Sequence, residues 1–319
     1  MHHERDPAFQ DYLERTANEP VYVILGVQGS GTNFLGRLLK RFFGFSLLRD
    51  RSMVFNAAAR LGHAPTREAI EREIRRFLAQ AFPSVIRRKT GKVLGDYTAF
   101  PGIAAELQPE LVSSGASFAR LIYAYRAYRL GTTRMAIKSD DLWETIDAID
   151  DVLPNRRTIL ITRDFRDNLV SVSDKPFGPI DPIRAAAYVK QRFEPYAAEF
   201  RRAGRNGYHV KFETLVTTPR QSLQEFSEHF QLAPTVDLEA AVQGLKIRPT
   251  RTQKWRRLSS RQLAWCEGML QRELEEFGYV AESEAPVLPG RPALLAATAS
   301  DISWRIPQKI RRLVARIRQ

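Results

Sequence analysis

Short apolar runs alternate with longer amphipathic segments over most of the chain. Five runs of apolar residues are bounded by turn or polar residues, and each run predicts a buried β-strand. These runs cover residues 21–27, 92–98, 134–139, 157–163 and 208–213. Between and after them, the apolar positions recur with helical spacing. The predicted helices cover residues 33–43, 65–80, 141–152, 166–173, 184–203, 219–230 and 259–277.

This alternation favours one α/β domain over residues 21–280. Strands that alternate with helices build a parallel sheet covered on both faces, so we expect a three-layer α/β/α fold with a central, mainly parallel sheet. Ligands of such sheets bind at the carboxyl ends of the strands. The Pro-rich segment 176–182 is expected to be an ordered surface loop or lid.

The two ends of the chain differ from this domain in pattern. Residues 1–20 are mixed and polar and are expected to form an N-terminal extension. The Pro-rich segment 284–292 predicts a linker, and residues 304–319 place apolar side chains on one helical face and basic side chains on another. This basic amphipathic tail, within the C-terminal region 281–319, could contact an anionic membrane or a partner, or pack on its own domain.

Charge narrows the classes of ligand. Lysine and arginine number 49 against 36 acidic residues, a net charge of +13, which favours nucleotides, nucleic acid or anionic lipid head groups. The single cysteine, Cys266, cannot form an internal disulfide and is compatible with a reducing compartment. We recognise no signal peptide and no apolar run long enough to span a bilayer, so the expected location is the cytoplasm.

The segment VYVILGVQGSGTNFLG (21–36) predicts a strand, a glycine-rich turn and the start of a helix. Such a turn can surround a phosphate, because its backbone N–H groups and the helix N-terminus attract anions. The nucleoside triphosphate version of this loop ends in Gly-Lys-Ser/Thr, whereas Thr32 and Asn33 follow the last glycine here. The loop is therefore expected to bind an anion but is poorly equipped for Mg-ATP.

A second anion site is predicted after the strand 157–163. Arg163 lies at its carboxyl end, and Ser171 follows eight residues later, after a polar turn that opens a helix. A guanidinium group binds phosphate oxygens in bidentate fashion, and a nearby hydroxyl adds a further donor. Two anion sites at strand ends suit a ligand with two phosphate groups.

Together these segments resemble the sulfotransferases that use 3′-phosphoadenosine 5′-phosphosulfate (PAPS). QGSGTN (28–33) resembles their 5′-phosphosulfate loop, Arg163 with Ser171 resembles their 3′-phosphate motif, and TRTQKWRRLS (250–259) and KFETL (211–215) resemble later family segments. The resemblance implies the P-loop-like sulfotransferase fold and in-line transfer to a hydroxyl of a carbohydrate, glycolipid or small metabolite, without a metal. The donor-site residues that it implies are Gln28, Gly29, Ser30, Gly31, Thr32, Asn33, Arg163, Ser171, Lys254, Trp255, Arg256 and Arg257.

The resemblance also implies catalytic residues. Lys138, in MAIKSDD, matches a family lysine that contacts the leaving phosphate, and Asp140 occupies the position of the family's catalytic base. Asp96 is the second candidate for the base, and His63 and Asp50 are weaker candidates. One departure is clear: many relatives carry a cation just before the Ser-Gly-Thr of the loop, where this chain has Gln28 and Gly29.

Two other functions stay open at this point. A P-loop kinase or NTPase would use ATP or GTP, and the residues Thr32 and Asn33 argue against it. A non-enzymatic module would bind membrane or nucleic acid through its basic surface. Such a surface does not need two separate anion motifs at strand ends. Nucleic acid is therefore not the expected partner. The histidines and the cysteine show no metal-ligand spacing, and no metal site is predicted.

Overall fold

The computed structural model describes residues 6–49, 53–81, 102–139, 141–175, 178–243 and 252–300. Its strands are β1 Val21–Leu25, β2 Ser46–Arg49, β3 Met135–Lys138, β4 Arg156–Thr162 and β5 Gly207–Lys211. Its helices are α1 Pro7–Arg15, α2 Thr32–Phe43, α3 Met53–Leu61, α4 Arg67–Ala81, α5 Ile103–Glu106, α6 Gly115–Arg129, α7 Ile149–Val152, α8 Phe165–Ser173, α9 Pro182–Ala203, α10 Phe212–Thr217, α11 Pro219–Phe230, α12 Leu238–Gln243, α13 Ser260–Met269 and α14 Gln271–Glu276. A further helical stretch covers 291–300.

The five strands form one sheet in the order β2-β3-β1-β4-β5, and each neighbouring pair is parallel. The carboxyl ends of all strands therefore meet at one edge of the sheet. Four predicted strands are confirmed to within two residues at each end, and the fifth, 92–98, lies outside the described residues. The sequence analysis missed β2, a four-residue edge strand too short to show a clear period.

The side chains of β1 show why the sheet is covered on both faces. Val21, Val23 and Leu25 belong to one buried cluster, which also includes residues of α6, α8 and α9. The alternate residues Tyr22 and Ile24 belong to a second cluster, with residues of α2 and α11. Because side chains of a strand point alternately to opposite faces, this division confirms the predicted three-layer α/β/α fold.

Some predicted helices differ in the structure. The helix predicted over 141–152 is wrong: the segment forms two 3₁₀ turns, Leu142–Glu144 and Ile146–Ala148, and then the short α7. The helix predicted over 259–277 is interrupted at Leu270, but its capping box between Ser259 and Gln262 is present. Helix α6 was missed because it is buried on most of its circumference and lacks a polar face to mark its period.

Both ends of the described chain contact the domain. Phe9 and Tyr12 of α1 are buried in the same cluster as β1. After α14, the backbone N–H groups of Glu282 and Ser283 donate to the Glu267 carboxylate of α13, each at 2.9 Å. The basic tail 304–319 lies outside the described residues. Within the described ranges, no helix has both the length and the apolar character needed to cross a membrane.

Candidate functional site

The candidate residues collect at the carboxyl edge of the sheet. Lys138 ends β3, where it pairs in register with Ile24 of β1. The glycine-rich turn follows β1, Arg163 follows β4, and Phe212 follows β5. Since β3, β1, β4 and β5 are consecutive neighbours, the sheet brings the two predicted anion sites next to each other.

The turn after β1 requires its glycines. A Cβ on Gly26 would lie 2.7 Å from the carbonyl oxygen of Ile161, so the turn packs directly on β4. Gly29 and Gly31 both have φ near +96°, a conformation that is unfavourable for residues with a side chain. A Cβ on Gly31 would also lie 2.3 Å from the Phe212 ring. These contacts fix the shape of a loop that carries no charged residue.

Some polar groups of this turn stabilise the loop, and others lie at the start of α2. The Ser30 N–H donates to the Val27 carbonyl at 3.0 Å, and the Ser30 hydroxyl accepts from the Asn168 amide at 3.0 Å. Thr32 and Asn33 begin α2, and the first N–H groups of a helix have no partner within it. They present partial positive charge at the strand ends.

Arg163, of the second predicted anion site, contacts the glycine loop. Its Nη1 donates to the Gly29 carbonyl at 3.1 Å and lies 3.4 Å from the Ser171 hydroxyl. Its guanidinium carbon lies 5.0 Å from the centre of the Phe212 ring. The side chain is 5% exposed. One buried arginine therefore touches the glycine loop, the serine of α8 and the residue that packs on Gly31.

Asp167 was not predicted as a site residue, although it lies one helical turn after Arg163. It accepts from Arg163 Nη2 at 2.9 Å and from the backbone N–H groups of Gln253 at 2.8 Å and Trp255 at 3.3 Å. This completely buried carboxylate therefore neutralises the arginine and ties the late segment to α8. Spacing of four residues from Arg163 was the available signal, but it gave no hint of the contact with Gln253.

The basic residues of the late segment have different surroundings. Lys254 and Arg257 both pair with the half-exposed Asp174, at 3.7 and 2.7 Å. Arg256 is exposed, with its guanidinium 5.6 Å from the Trp255 ring. Trp255 is buried beneath Arg166, whose guanidinium lies 4.4 Å from the indole ring. Trp255 is thus a packing anchor, with the guanidinium groups of Arg166 and Arg256 near its ring.

The predicted catalytic residues are only partly within the described chain. Lys138 is buried, with 5% of its surface exposed, at the carboxyl end of β3. Asp140, Asp96 and Asp50 lie outside the described residues. His63 is exposed and pairs with Asp151 at 3.1 Å, just before β4 begins. It therefore lies at the amino edge of the sheet, away from the candidate site.

A further group, missed in the sequence, borders the glycine loop. The Tyr188 hydroxyl of α9 donates to Gln28 Oε1 at 2.8 Å. The Arg192 guanidinium, one turn later, lies 3.4 Å from the Tyr188 ring centre and 4.5 Å from that of Trp143. No sequence signal connects these residues with the loop, because α9 follows it by more than a hundred positions.

A polar network supports the end of β4. The Thr162 hydroxyl lies 2.8 Å from Nε2 of His209 in β5, and Glu213 accepts from the Asp164 N–H at 3.0 Å. Burial, with a smaller effect of Lys211, lowers the pKa of His209 to about 4, so the imidazole is neutral near pH 7. Contacts with β5 before Arg163 and with α10 after it therefore hold the turn that carries this arginine.

No cluster of three or more histidine, cysteine, aspartate or glutamate side chains in the described ranges is arranged to hold a metal ion. Positive groups at this edge of the sheet include the side chains of Lys138 and Arg163 and the start of α2. Such groups can bind phosphate or sulfate oxygens.

Comparison with known proteins gives a family. The profile described as "Sulfotransferase family" matches residues 20–236, which include the glycine loop, Lys138, Arg163 and Ser171 but not the late segment. No curated protein matches the chain in sequence.

Several solved structures are similar to the chain. A sulfotransferase from Mycobacterium avium has 13% identity and a TM-score of 0.47, with 86% of this chain and 83% of that chain covered. The sulfotransferase domain of the Synechococcus PCC 7002 olefin synthase has 16% identity and a TM-score of 0.47, with 82% and 95% covered. The sulfotransferase domain of the curacin biosynthetic pathway has 13% identity and a TM-score of 0.48, with 85% and 98% covered.

The family profile covers more than half of the chain and decides between the functions that the sequence left open. The matched range includes both the glycine loop and the segment from Arg163 to Ser171. The chain belongs to the sulfotransferase family and is a sulfotransferase enzyme.

Proposed function

We propose that the protein transfers the sulfuryl group of PAPS to a hydroxyl of a carbohydrate, glycolipid or small metabolite, in line and without a metal. The observation that carries this proposal is the bond from Arg163 to the Gly29 carbonyl, with Ser171 beside it. This contact supports two neighbouring anion sites, as a nucleotide with phosphates at both its 3′ and 5′ positions requires. A nucleoside triphosphate has no 3′-phosphate and would not need the second anion site at Arg163 and Ser171.

In this proposal the first N–H groups of α2 and the Thr32 hydroxyl bind the 5′-phosphosulfate, while Arg163 and Ser171 bind the 3′-phosphate. Lys254, Arg256 and Arg257 close over the adenosine end around Trp255. Of these three, Arg256 is the one without a carboxylate partner among the described residues, so we assign it the 3′-phosphate contact. The Arg256 guanidinium can therefore bind a ligand without first breaking an ion pair.

Lys138 is proposed to stabilise the charge that builds on the bridging oxygen as 3′,5′-ADP leaves. Loss of one such preplaced donor typically reduces the rate by about 10²- to 10³-fold. The acceptor hydroxyl needs a base, and Asp140 is our first assignment, with Asp96 second. Lysine, arginine and backbone N–H groups supply the positive charge that this reaction requires.

Nucleotide binding tests the proposal. We expect 3′,5′-ADP without magnesium to bind much more tightly than Mg-ATP in isothermal titration calorimetry. Arg163→Ala is expected to weaken 3′,5′-ADP binding by roughly 10- to 100-fold, because a charge-assisted, buried contact is lost. Arg261→Ala, which removes an exposed arginine of α13, is the control. An unchanged affinity in Arg163→Ala means that the second anion site is assigned wrongly.

Lys138→Ala is expected to act on turnover more than on donor affinity, because it removes a contact made mainly in the transition state. Incorporation of labelled sulfate from PAPS into cell extracts would identify an acceptor for this measurement. If Lys138→Ala changes only the donor Kd, the lysine binds the ground state and our assignment fails.

We also propose a cytoplasmic enzyme that contacts anionic membrane through residues 304–319. The support is the basic amphipathic sequence of this tail and the exposed Leu288, Leu294 and Leu295 just before it, with 72%, 41% and 72% exposure. Apolar side chains beside clustered basic residues suit a membrane surface. Co-sedimentation with phosphatidylglycerol vesicles, but not with phosphatidylcholine vesicles, is the expected result, and it should be lost when 304–319 is removed.

A further inference from the structure

The glycine loop has no charged residue, although the ligand proposed for it is doubly charged. From Gly26 to Asn33, every side chain is neutral. Gln28 is the longest of these side chains, and it is half-buried. Its amide can both donate and accept, so the direction in which it faces decides whether it helps or opposes an anion.

Tyr188 determines that direction. Its hydroxyl donates to Gln28 Oε1 at 2.8 Å. With the amide oxygen engaged by α9, the Nε2 group with its two N–H bonds must face away from Tyr188. Amide orientation is assigned from such networks, and the hydroxyl partner gives the assignment here. Gln28 can then act as a neutral, fixed donor for anionic oxygens.

Arg192 strengthens this arrangement. Its guanidinium is stacked between the rings of Tyr188 and Trp143, at 3.4 and 4.5 Å from their centres. Among the residues that the structure describes, no carboxylate pairs with Arg192. A cation over a phenol ring favours the hydroxyl as donor rather than acceptor, and bonds in such a chain polarise one another. Its charge also raises the positive potential beside the loop.

We infer that Gln28, Tyr188 and Arg192 form a relay that gives the glycine loop a side-chain donor in addition to the backbone N–H groups and the Thr32 hydroxyl. Gln28 Nε2 binds the 5′-phosphosulfate oxygens, and Tyr188 and Arg192 are positioning residues that act through it. This inference rests on the proposed function, because it needs PAPS as the ligand. In this arrangement α9, which contributes no loop residue, takes part in donor binding through Gln28.

The first test compares two stable nucleotides, 3′,5′-ADP and adenosine 3′-phosphate, which differ by the 5′-phosphate. We expect Tyr188→Phe to weaken 3′,5′-ADP binding about 5- to 10-fold, because it removes the one hydrogen bond that orients Gln28. The affinity for adenosine 3′-phosphate should change less than about 2-fold. Arg192→Met should show the same selectivity with a smaller effect. Gln28→Glu keeps the acceptor for Tyr188 but removes both N–H donors, so it should weaken 3′,5′-ADP binding most.

Matched controls exist elsewhere in the chain. Tyr208→Phe removes a hydroxyl that donates to the Ser222 carbonyl, and Arg261→Met removes an arginine stacked on Trp265 at 4.6 Å. Neither is expected to change the ratio of the two dissociation constants. Melting temperatures of all variants show whether a lost affinity reflects lost folding.

Rescue separates a donor relay from simple packing. Gln28→Lys places a cation in the loop that does not depend on a hydrogen bond donated by Tyr188, so adding Tyr188→Phe should then cost less than about 2-fold in 3′,5′-ADP affinity. An equal cost of Tyr188→Phe with Gln28 and with Gln28→Lys would show that Tyr188 only packs, and would overturn the relay. Failure of the wild-type protein to bind 3′,5′-ADP would instead overturn the proposed function.

Discussion

The two proposed anion sites lie at one sheet edge but are built in different ways. The glycine loop uses backbone conformation and neutral donors, and its tight contacts with Ile161, Ser171 and Phe212 leave no room for a Cβ. The second site uses Arg163, whose charge is balanced by the buried Asp167. The first site therefore depends on shape and the second on charge, so different substitutions should damage each.

The largest effect is expected from Gly31→Ala. The new Cβ would meet the Phe212 ring at 2.3 Å in a residue with φ near +96°, so the loop or the ring must move. Backbone strain alone costs about 1–2 kcal/mol, and the clash adds to it. We expect the affinity for 3′,5′-ADP to fall by at least about 100-fold, since the N–H groups of α2 lose their alignment. Calorimetric titration gives this value directly.

Gly62→Ala is the matched control for the loop. Gly62 also has a positive φ, near +62°, but a Cβ there would meet no atom within 4 Å. It should lower the melting temperature through strain and leave nucleotide affinity unchanged. A Gly31→Ala variant that binds as tightly as Gly62→Ala would mean that the loop's shape does not define the first site.

Asp167→Asn should have the next largest effect. The substitution keeps the size of a completely buried side chain but removes the charge opposite Arg163 and turns one acceptor into a donor. We expect a loss of about 2–4 kcal/mol in the free energy of unfolding, because buried charged contacts are broken. Nucleotide affinity should fall about 10-fold as Gln253 and Trp255 lose their anchor. Urea unfolding and titration measure the two effects.

Asp174→Asn provides the comparison for Asp167. Asp174 pairs with Lys254 and Arg257, but its side chain is 43% exposed. An exposed pair contributes at most about 1 kcal/mol, so this variant should be nearly as stable as the wild type. Equal destabilisation by the two variants would show that the burial of Asp167 does not determine its contribution to the free energy of unfolding.

The same difference in construction explains what the sequence could reveal. Glycine spacing after an apolar strand and an arginine at a strand end are local signals, and they predicted Gly29, Gly31, Arg163 and Ser171 as neighbours at one edge. The contacts of Asp167 with Gln253 and of Tyr188 with Gln28 join residues far apart in the chain. Neither leaves a periodic pattern, because each depends on how α8 and α9 pack on the sheet.

The fold shows a similar limit. Strands buried on both faces were recognisable as continuous apolar runs, whereas β2 has only four residues. Helix α6 is buried on most sides and so lacks the polar stripe from which a helix is recognised. In 141–152 the acidic residues and the helical spacing of Leu142, Ile146 and Ile149 favoured one helix, whereas the structure has two 3₁₀ turns before the short α7.

A smaller effect than that of Gly31→Ala or Asp167→Asn is expected from pH, and it should act on the second site. His209 supports Thr162, which precedes Arg163, and burial lowers its pKa from 6.5 to about 4. Between these values the unfolded chain binds a proton that the folded protein does not, so stability should fall as the pH decreases through this window. After allowance for partial exposure of the imidazole, the loss is on the order of 2 kcal/mol. Above pH 6.5 this contribution is fully present.

His209→Gln tests this assignment because it keeps a polar group near Thr162 but removes the titration. Its free energy of unfolding should be lower than that of the wild type at pH 7.5 and should approach it near pH 4.5, where the wild type has lost most of the histidine's contribution. Because the glycine loop has no titrating residue, nucleotide binding by the first site should not follow the same curve. Parallel pH profiles for His209→Gln and the wild type would assign the acid sensitivity to other groups and remove this distinction between the two sites.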